Sequence, residues 1–168
     1  GYQAGKGASG SSGTHNTGIG DKAGFAITSG ENNTCVGSGA GDDITTGDDN
    51  TCIGRGAGGQ ITTDNGTVAI GRSAAPKGNK SIGIGYSALE KAEYVGTIGI
   101  GYDCLKELTT GEACTAIGYT TGDALTTANN TTLLGYAVGT DITTGTSNTL
   151  VGAYAGNKLT TGYTNTVV

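Results

Sequence analysis

Tryptophan and methionine are missing from the 168 residues, proline and phenylalanine occur once each, and only 35% of residues are hydrophobic. That shortage excludes a core assembled from large side chains. With one Pro and no every-third glycine spacing, the chain is not a collagen. Charge is also scarce: 14% of residues are charged and the net charge is −5, which leaves no basic face for a nucleic-acid backbone. No apolar run approaches the roughly 18 residues that cross a bilayer as a helix, so this stretch is expected to carry no membrane span. No signal peptide is apparent, which says nothing of export in a chain that opens inside a repeat. The single histidine, His15, leaves a His-based metal site or a Ser-His-Asp triad without partners and reads as a surface-turn residue.

What is abundant is glycine, 34 residues, in a regular recurrence with threonine and β-branched residues. Disordered Gly-rich segments lack such order. Units begin at Gly1, Gly20, Gly37, Gly54, Gly71, Gly85, Gly101, Gly118, Gly135 and Gly152, mostly 17 residues apart, with shorter units of 14 and 16 residues at Gly71 and Gly85. GSGAGDDITTGDDNTCI is a nearly complete copy of the phrase. The last residues, TNTVV, followed by the first, GYQAG, would spell another copy. Residues 1–168 therefore read as a single repeat domain, a window of a longer array or of a head-to-tail fibre.

A period this short is one supersecondary unit that must stack on its neighbours to bury anything. Gly and Thr are poor helix formers, so the unit is extended: one run around I-T-T-G, another around N-T-x-I-G, with Gly-rich corners between. The expected fold is all-β, a parallel β-solenoid of about ten coils stacked about 4.8 Å apart. Ile44, Ile61, Leu108, Leu125, Ile142 and Leu159 should form one inward column, and Ala23, Ala40, Ala57, Ala88 and Ala155 another. On the second strand, hydrophobicity points Ile53, Ile117 and their equivalents inward. Gly18, Cys35, Cys52, Ala69, Gly83, Gly99, Ala116, Leu133, Leu150 and Val167 would then face out. A face so poor in polar residues predicts lateral self-association, most simply a parallel trimer.

SIGIGYSALEKAEYVGTIGIGYDC and TVAIGRSAAPKGNKSIGIG, at 81–104 and 67–85, resemble the head repeats of trimeric autotransporter adhesins. The N-T-x-x-G-x-x-A-G phrase is similar to repeats of phage tail fibres and other bacterial surface fibres. The 17-residue units depart from the adhesin pattern by inserting I-T-T-G. The resemblance implies a left-handed β-roll, usually trimeric, that serves as a shaft or a binding head.

Several residues carry candidate chemistry. Cys35 and Cys52 occupy equivalent places in successive units, and Cys104 and Cys114 share one unit; the pattern predicts disulfides Cys35–Cys52 and Cys104–Cys114, the alternative being four buried thiols. Two bridges would place the chain outside the cytosol. Tyr86, Tyr102, Tyr119 and Tyr136 follow the first Gly of successive units and form an aromatic row that either receives a sugar or stacks along the rod. Asn32, Asn65, Asn79, Asn129 and Asn130 lie in N-x-S/T acceptor motifs. The acidic residues Asp42, Asp43, Asp48 and Asp49 read as solvated corners, since the repeat phrase of calcium-binding rolls is missing. GSGAG and GRGAGG lack the following helix that a phosphate loop needs. The Thr doublets, Thr45–Thr46 through Thr160–Thr161, suggest a hydroxyl row with one member of each doublet facing out, a weak match to ice.

The expectation is a non-enzymatic protein without cofactor or metal: a structural subunit of an extracellular, cell-surface or virion-surface filament that continues end to end and associates laterally. A receptor- or glycan-binding adhesin or tail-fibre module is the alternative, and ice binding a lesser one.

Overall fold

The computed structural model describes residues 1–5, 11–91, 93 and 95–168, so the 1–19 unit lies partly outside the described residues. The described chain is all β and coil, wound as a parallel β-solenoid of about nine turns with a period of about 17 residues. Ten short strands make the principal sheet: β1 (Thr17–Ile19), β2 (Thr34–Val36), β3 (Thr51–Ile53), β4 (Val68–Ile70), β5 (Ile82–Ile84), β6 (Ile98–Ile100), β7 (Thr115–Ile117), β9 (Thr132–Leu134), β11 (Thr149–Val151) and β13 (Thr166–Val167). Each pairs in parallel with the next coil and in register, Thr34 on Thr51 and Val36 on Ile53 for example. The I-T-T-G run becomes regular strand only late in the chain, as β8 (Thr127–Asn129), β10 (Thr144–Thr146) and β12 (Thr161–Tyr163). Elsewhere that wall is made of turns and bends.

Coils turn at residues held in the left-handed region. One corner column, just before the main strand, includes His15, Asn32, Asp49, Lys80 and Asn130, all with φ between 51° and 60°. Asn and Asp tolerate this conformation better than other side chains, which explains much of the N-N and D-N spelling at this corner. His15 is one of these corner residues.

The first glycine of each unit has a different reason. Gly20 through Gly152 lie at φ of 118° to 145°, and a Cβ built on Gly37 would sit 2.5 Å from the Gly54 carbonyl oxygen. The coils approach so closely here that no side chain fits between them.

The interior is thin, and this inverts the expected facing of the main strand. Cys52 is 0% exposed while Ile53 is 38% exposed. Cys35, Cys52, Ala69, Ala116, Leu133 and Leu150 point inward, and the Ile column with the Thr or Ile two residues earlier points out. Assigning the larger side chain to the core was incorrect, because the space across the coil is already taken. A Cβ on Gly99 would lie 2.8 Å from Leu89 Cγ, and one on Gly83 2.8 Å from Pro76 Cδ. The compensation runs both ways: opposite the larger Leu133 and Leu150 stand Gly122, Gly139 and Gly156. Where one wall carries leucine, the wall across the coil carries glycine or alanine, as close packing demands. Leu89 and Leu105 fill the space that glycine leaves elsewhere, and each adopts a left-handed φ, 56° and 49°, to do so.

The other inward columns are as expected. Ile44, Ile61, Leu108, Leu125 and Ile142 are buried, Leu159 is half-buried, and Ala23, Ala40, Ala57 and Ala88 are buried. The core divides into two clusters, one from Ala23 to Ala69 and one from Leu89 to Leu150. Between them lies the 14-residue coil, whose inward residues are Ala74, Ala75 and Pro76.

The buried asparagines are satisfied along the axis of the rod, whereas the buried Thr97 Oγ1 has no hydrogen-bond partner among the described residues. Asn33 Nδ2 donates to Asn16 Oδ1 at 3.0 Å and Asn50 Nδ2 to Asn33 Oδ1 at 3.0 Å, while the backbone N–H groups of Asn33, Asn50 and Thr67 donate to the same column of oxygens. The column resumes at Asn148 and Asn165. The buried amides of Asn33 and Asn50 thereby bond both the coil before and the coil after, and that of Asn148 bonds the coil after, which removes the penalty of burying them.

Gly37→Ala should lower stability by about 2–4 kcal/mol through backbone strain and overpacking. Gly56→Ala, where a Cβ meets nothing within 4 Å at φ +63°, should cost about 1–2 kcal/mol for the left-handed backbone alone. Urea unfolding of both variants measures the difference; equal costs would contradict the close approach at Gly37.

Candidate functional site: the outward apolar face and the tyrosine ladder

The principal sheet presents two outward columns. One runs through Ile19, Val36, Ile53, Ile70, Ile84, Ile100, Ile117, Leu134 and Val151; the other alternates blocks of Thr with Val68, Ile82 and Ile98. All are half-buried or exposed, and none carries charge. The strand geometry that sends the small middle residue inward sends both of its neighbours outward together.

Two residues after Ile84, Ile100, Ile117 and Leu134 comes a tyrosine. Tyr86, Tyr102, Tyr119 and Tyr136 stack with ring centroids 5.1, 5.1 and 5.5 Å apart and ring planes within 8–13° of parallel. Arg72 covers the far face of Tyr86 at 5.3 Å, and Tyr154 meets Tyr136 edge-on at 5.3 Å. Every ring face in the row is therefore occupied from within the protein. Only edges and hydroxyls reach solvent, whereas a sugar ring would need a free face.

The cysteines are thiols, and the two expected disulfides are not formed. All four are buried. Cys35 and Cys52 are register partners, and the Cys52 thiol donates to Cys35 Sγ; that bond holds Cys35 below the usual thiol range and, with burial, raises Cys52. Cys104 and Cys114 turn to different carbonyls, Sγ of Cys104 to Ala116 O at 3.3 Å and Sγ of Cys114 to Ala128 O at 3.4 Å. Burial pushes Cys104 up to about 12 and raises Cys114. These side chains act as small apolar fillers of the thin interior, and the argument from bridges to an oxidising compartment falls with them.

The five acceptor asparagines are exposed, Asn129 at the end of β8 and the other four outside the strands. Three also stitch coils: Asn65 Oδ1 accepts from Asp48 N at 2.7 Å, Asn79 Oδ1 from Asn65 N at 2.6 Å, and Asn129 Oδ1 from Glu112 N at 2.9 Å. The Thr doublets differ from expectation, because both members are half-buried or exposed. The hydroxyl of the first member donates to the next coil, Thr45 Oγ1 to Thr62 O at 3.1 Å and Thr126 Oγ1 to Thr143 O at 2.9 Å. Those hydroxyl protons are committed to the protein rather than to an external lattice.

Among the described residues no group of three or more His, Cys, Asp or Glu stands close enough to hold a metal ion, and no helix is long and apolar enough to cross a membrane. Burial first, then the like charge of Asp43, raises Asp42 above the ordinary carboxyl range. Burial, with the like charges of Asp103 and Asp141, raises Asp123 above the ordinary carboxyl range, against bonds from the backbone N–H groups of Asp123 and Ala124. No family model matches the chain, and neither a curated protein nor a solved structure matches it.

Two outcomes are expected. In native protein all four thiols should resist iodoacetamide and become alkylated only in denaturant; a native mass short by two or four hydrogens would mean that bridges form. For Asp123 the folded state holds its proton more tightly than the unfolded state, so stability falls as pH rises from the unfolded value through the raised folded one. Asp123→Asn should then stabilise at pH 7, by less than about 1 kcal/mol for a half-solvated carboxyl, and the gain should vanish below the unfolded carboxyl pKa. Thermal melts across acid pH check this.

Proposed function

We propose that the chain is a structural, non-catalytic segment of a surface or extracellular fibre that associates with further copies of itself through the outward face of the principal sheet. The observation that carries this reading is that face: ten paired strands whose uncharged outward columns are built of Ile, Val, Leu and Thr and lie half-buried or exposed. At about 4.8 Å per strand and two columns wide, it measures on the order of 500 Å². Only part of that area is apolar, since one column is mostly Thr, and an apolar patch of a few hundred Å² on a monomer is often functional. A parallel trimer about a narrow axis lets every copy bury the face against two neighbours, as the likeness to trimeric adhesin repeats implies. Polar residues support the same reading, since the Asn and Thr columns spend their hydrogen bonds on joining coils. Continuation along the axis, within one polypeptide or between copies, would use that same ladder. A fibre of this kind belongs at a cell or virion surface, where the exposed acceptor asparagines would be open to glycosylation.

The glycan-binding alternative loses its best platform, because the Tyr ring faces are filled. Ice binding loses hydroxyl donors for the reason given above.

Sedimentation and negative-stain microscopy test the proposal. The native chain should form elongated oligomers, and Ile84→Lys with Ile100→Lys should yield monomers with an unchanged circular-dichroism spectrum. A wild-type chain that stays monomeric at high concentration, or a double variant that assembles as well as wild type, would refute lateral association through this face.

A further inference from the structure

From the ring geometry we infer that the ladder Tyr86–Tyr102–Tyr119–Tyr136 is a site of oxidative cross-linking, where neighbouring rings couple into dityrosine bridges that staple one coil to the next. The inference is independent of whether copies associate.

Three observations lead to it. The rings are in stacking contact at 5.1–5.5 Å. The backbone pins that contact: the N–H following each tyrosine donates to the carbonyl of the tyrosine one coil earlier, Asp103 to Tyr86 at 2.9 Å, Thr120 to Tyr102 at 2.8 Å and Ala137 to Tyr119 at 2.9 Å. The ring edges are nevertheless open, with 37–49% of each residue exposed. An oxidant can therefore reach the phenols while the partner ring is already in place, which converts a bimolecular coupling into an intramolecular one.

The chemistry balances with a one-electron oxidant of the peroxidase or photo-oxidised metal-complex class. Each of two phenols loses a proton and an electron to one equivalent of oxidant. The two phenoxyl radicals join through a new carbon–carbon bond between ortho positions, and the two ortho hydrogens move to the oxygens and restore both phenols. Two protons are released and two equivalents of oxidant are reduced.

Solvent access alone would select other residues. Tyr2, Tyr154 and Tyr163 are 58–75% exposed, yet none stacks face to face with another tyrosine. The test oxidises the native chain at low concentration with photo-oxidised ruthenium tris-bipyridine and persulfate, then maps dityrosine peptides by mass spectrometry. Cross-links within one chain at Tyr86–Tyr102, Tyr102–Tyr119 and Tyr119–Tyr136 are expected. Tyr102→Phe keeps a ring in the stack but removes its phenol, so the three junctions should fall to one, Tyr119–Tyr136. Circular dichroism verifies that the variant keeps its fold. The inference is overturned by dityrosine confined to Tyr2, Tyr154 and Tyr163, by links only between chains, by an unchanged yield in the Phe variant, or by oxidation without any dityrosine.

Discussion

The distance between one coil and the next governs everything else in the molecule. Parallel backbone pairing sets it at about 4.8 Å, and at the first glycine of each unit the next coil's carbonyl already occupies the place of a β-carbon. From that contact, which runs from Gly1 to Gly135, follow the glycine column and the superposition of equivalent residues. Columns of identical side chains are then unavoidable. Polar columns must bond to themselves, as the buried asparagines do; aromatic columns must stack, as the tyrosines do.

Interior volume is the second constraint, and it acts across a coil rather than along the rod. Opposite walls are near enough that a leucine on one requires a glycine on the other. Leu89 faces Gly99, while Leu133 and Leu150 face Gly122, Gly139 and Gly156. Such exchange allows the core to change composition between its two clusters while the backbone path stays the same. It also accounts for the left-handed leucines: at Leu89 and Leu105 the chain accepts an unfavourable φ so that the space left by a small strand residue is filled.

Period, strand class and the Ile44–Ile142 column were legible in the sequence, because each depends on spacing alone. The facing of the main strand was not. Hydrophobicity ranks Ile53 above Cys52, yet the thin interior selects for size, and the sign of this is the exchange of Gly and Leu between the two walls in the units from Gly85 onward. Gly99 against Leu89 marks the inward position. The cysteines misled for a related reason: equal places in successive units guarantee proximity, but small buried thiols serve the packing as well as bridges do. The tyrosine row was visible as a spacing, whereas the filling of its ring faces depended on Arg72 and Tyr154, which stand outside the G-Y phrase.

Because the backbone ladder joins each unit to the units directly before and after it, with Gln60 Nε2 to Glu90 O at 3.0 Å a side-chain bond that spans the short 14-residue coil, unit number is free to vary. Duplicating or deleting a whole phrase lengthens or shortens the rod by about 4.8 Å and leaves every surviving column aligned. Gene-level recombination between such similar stretches is thus structurally silent, and reach becomes a trait that evolution adjusts by counting.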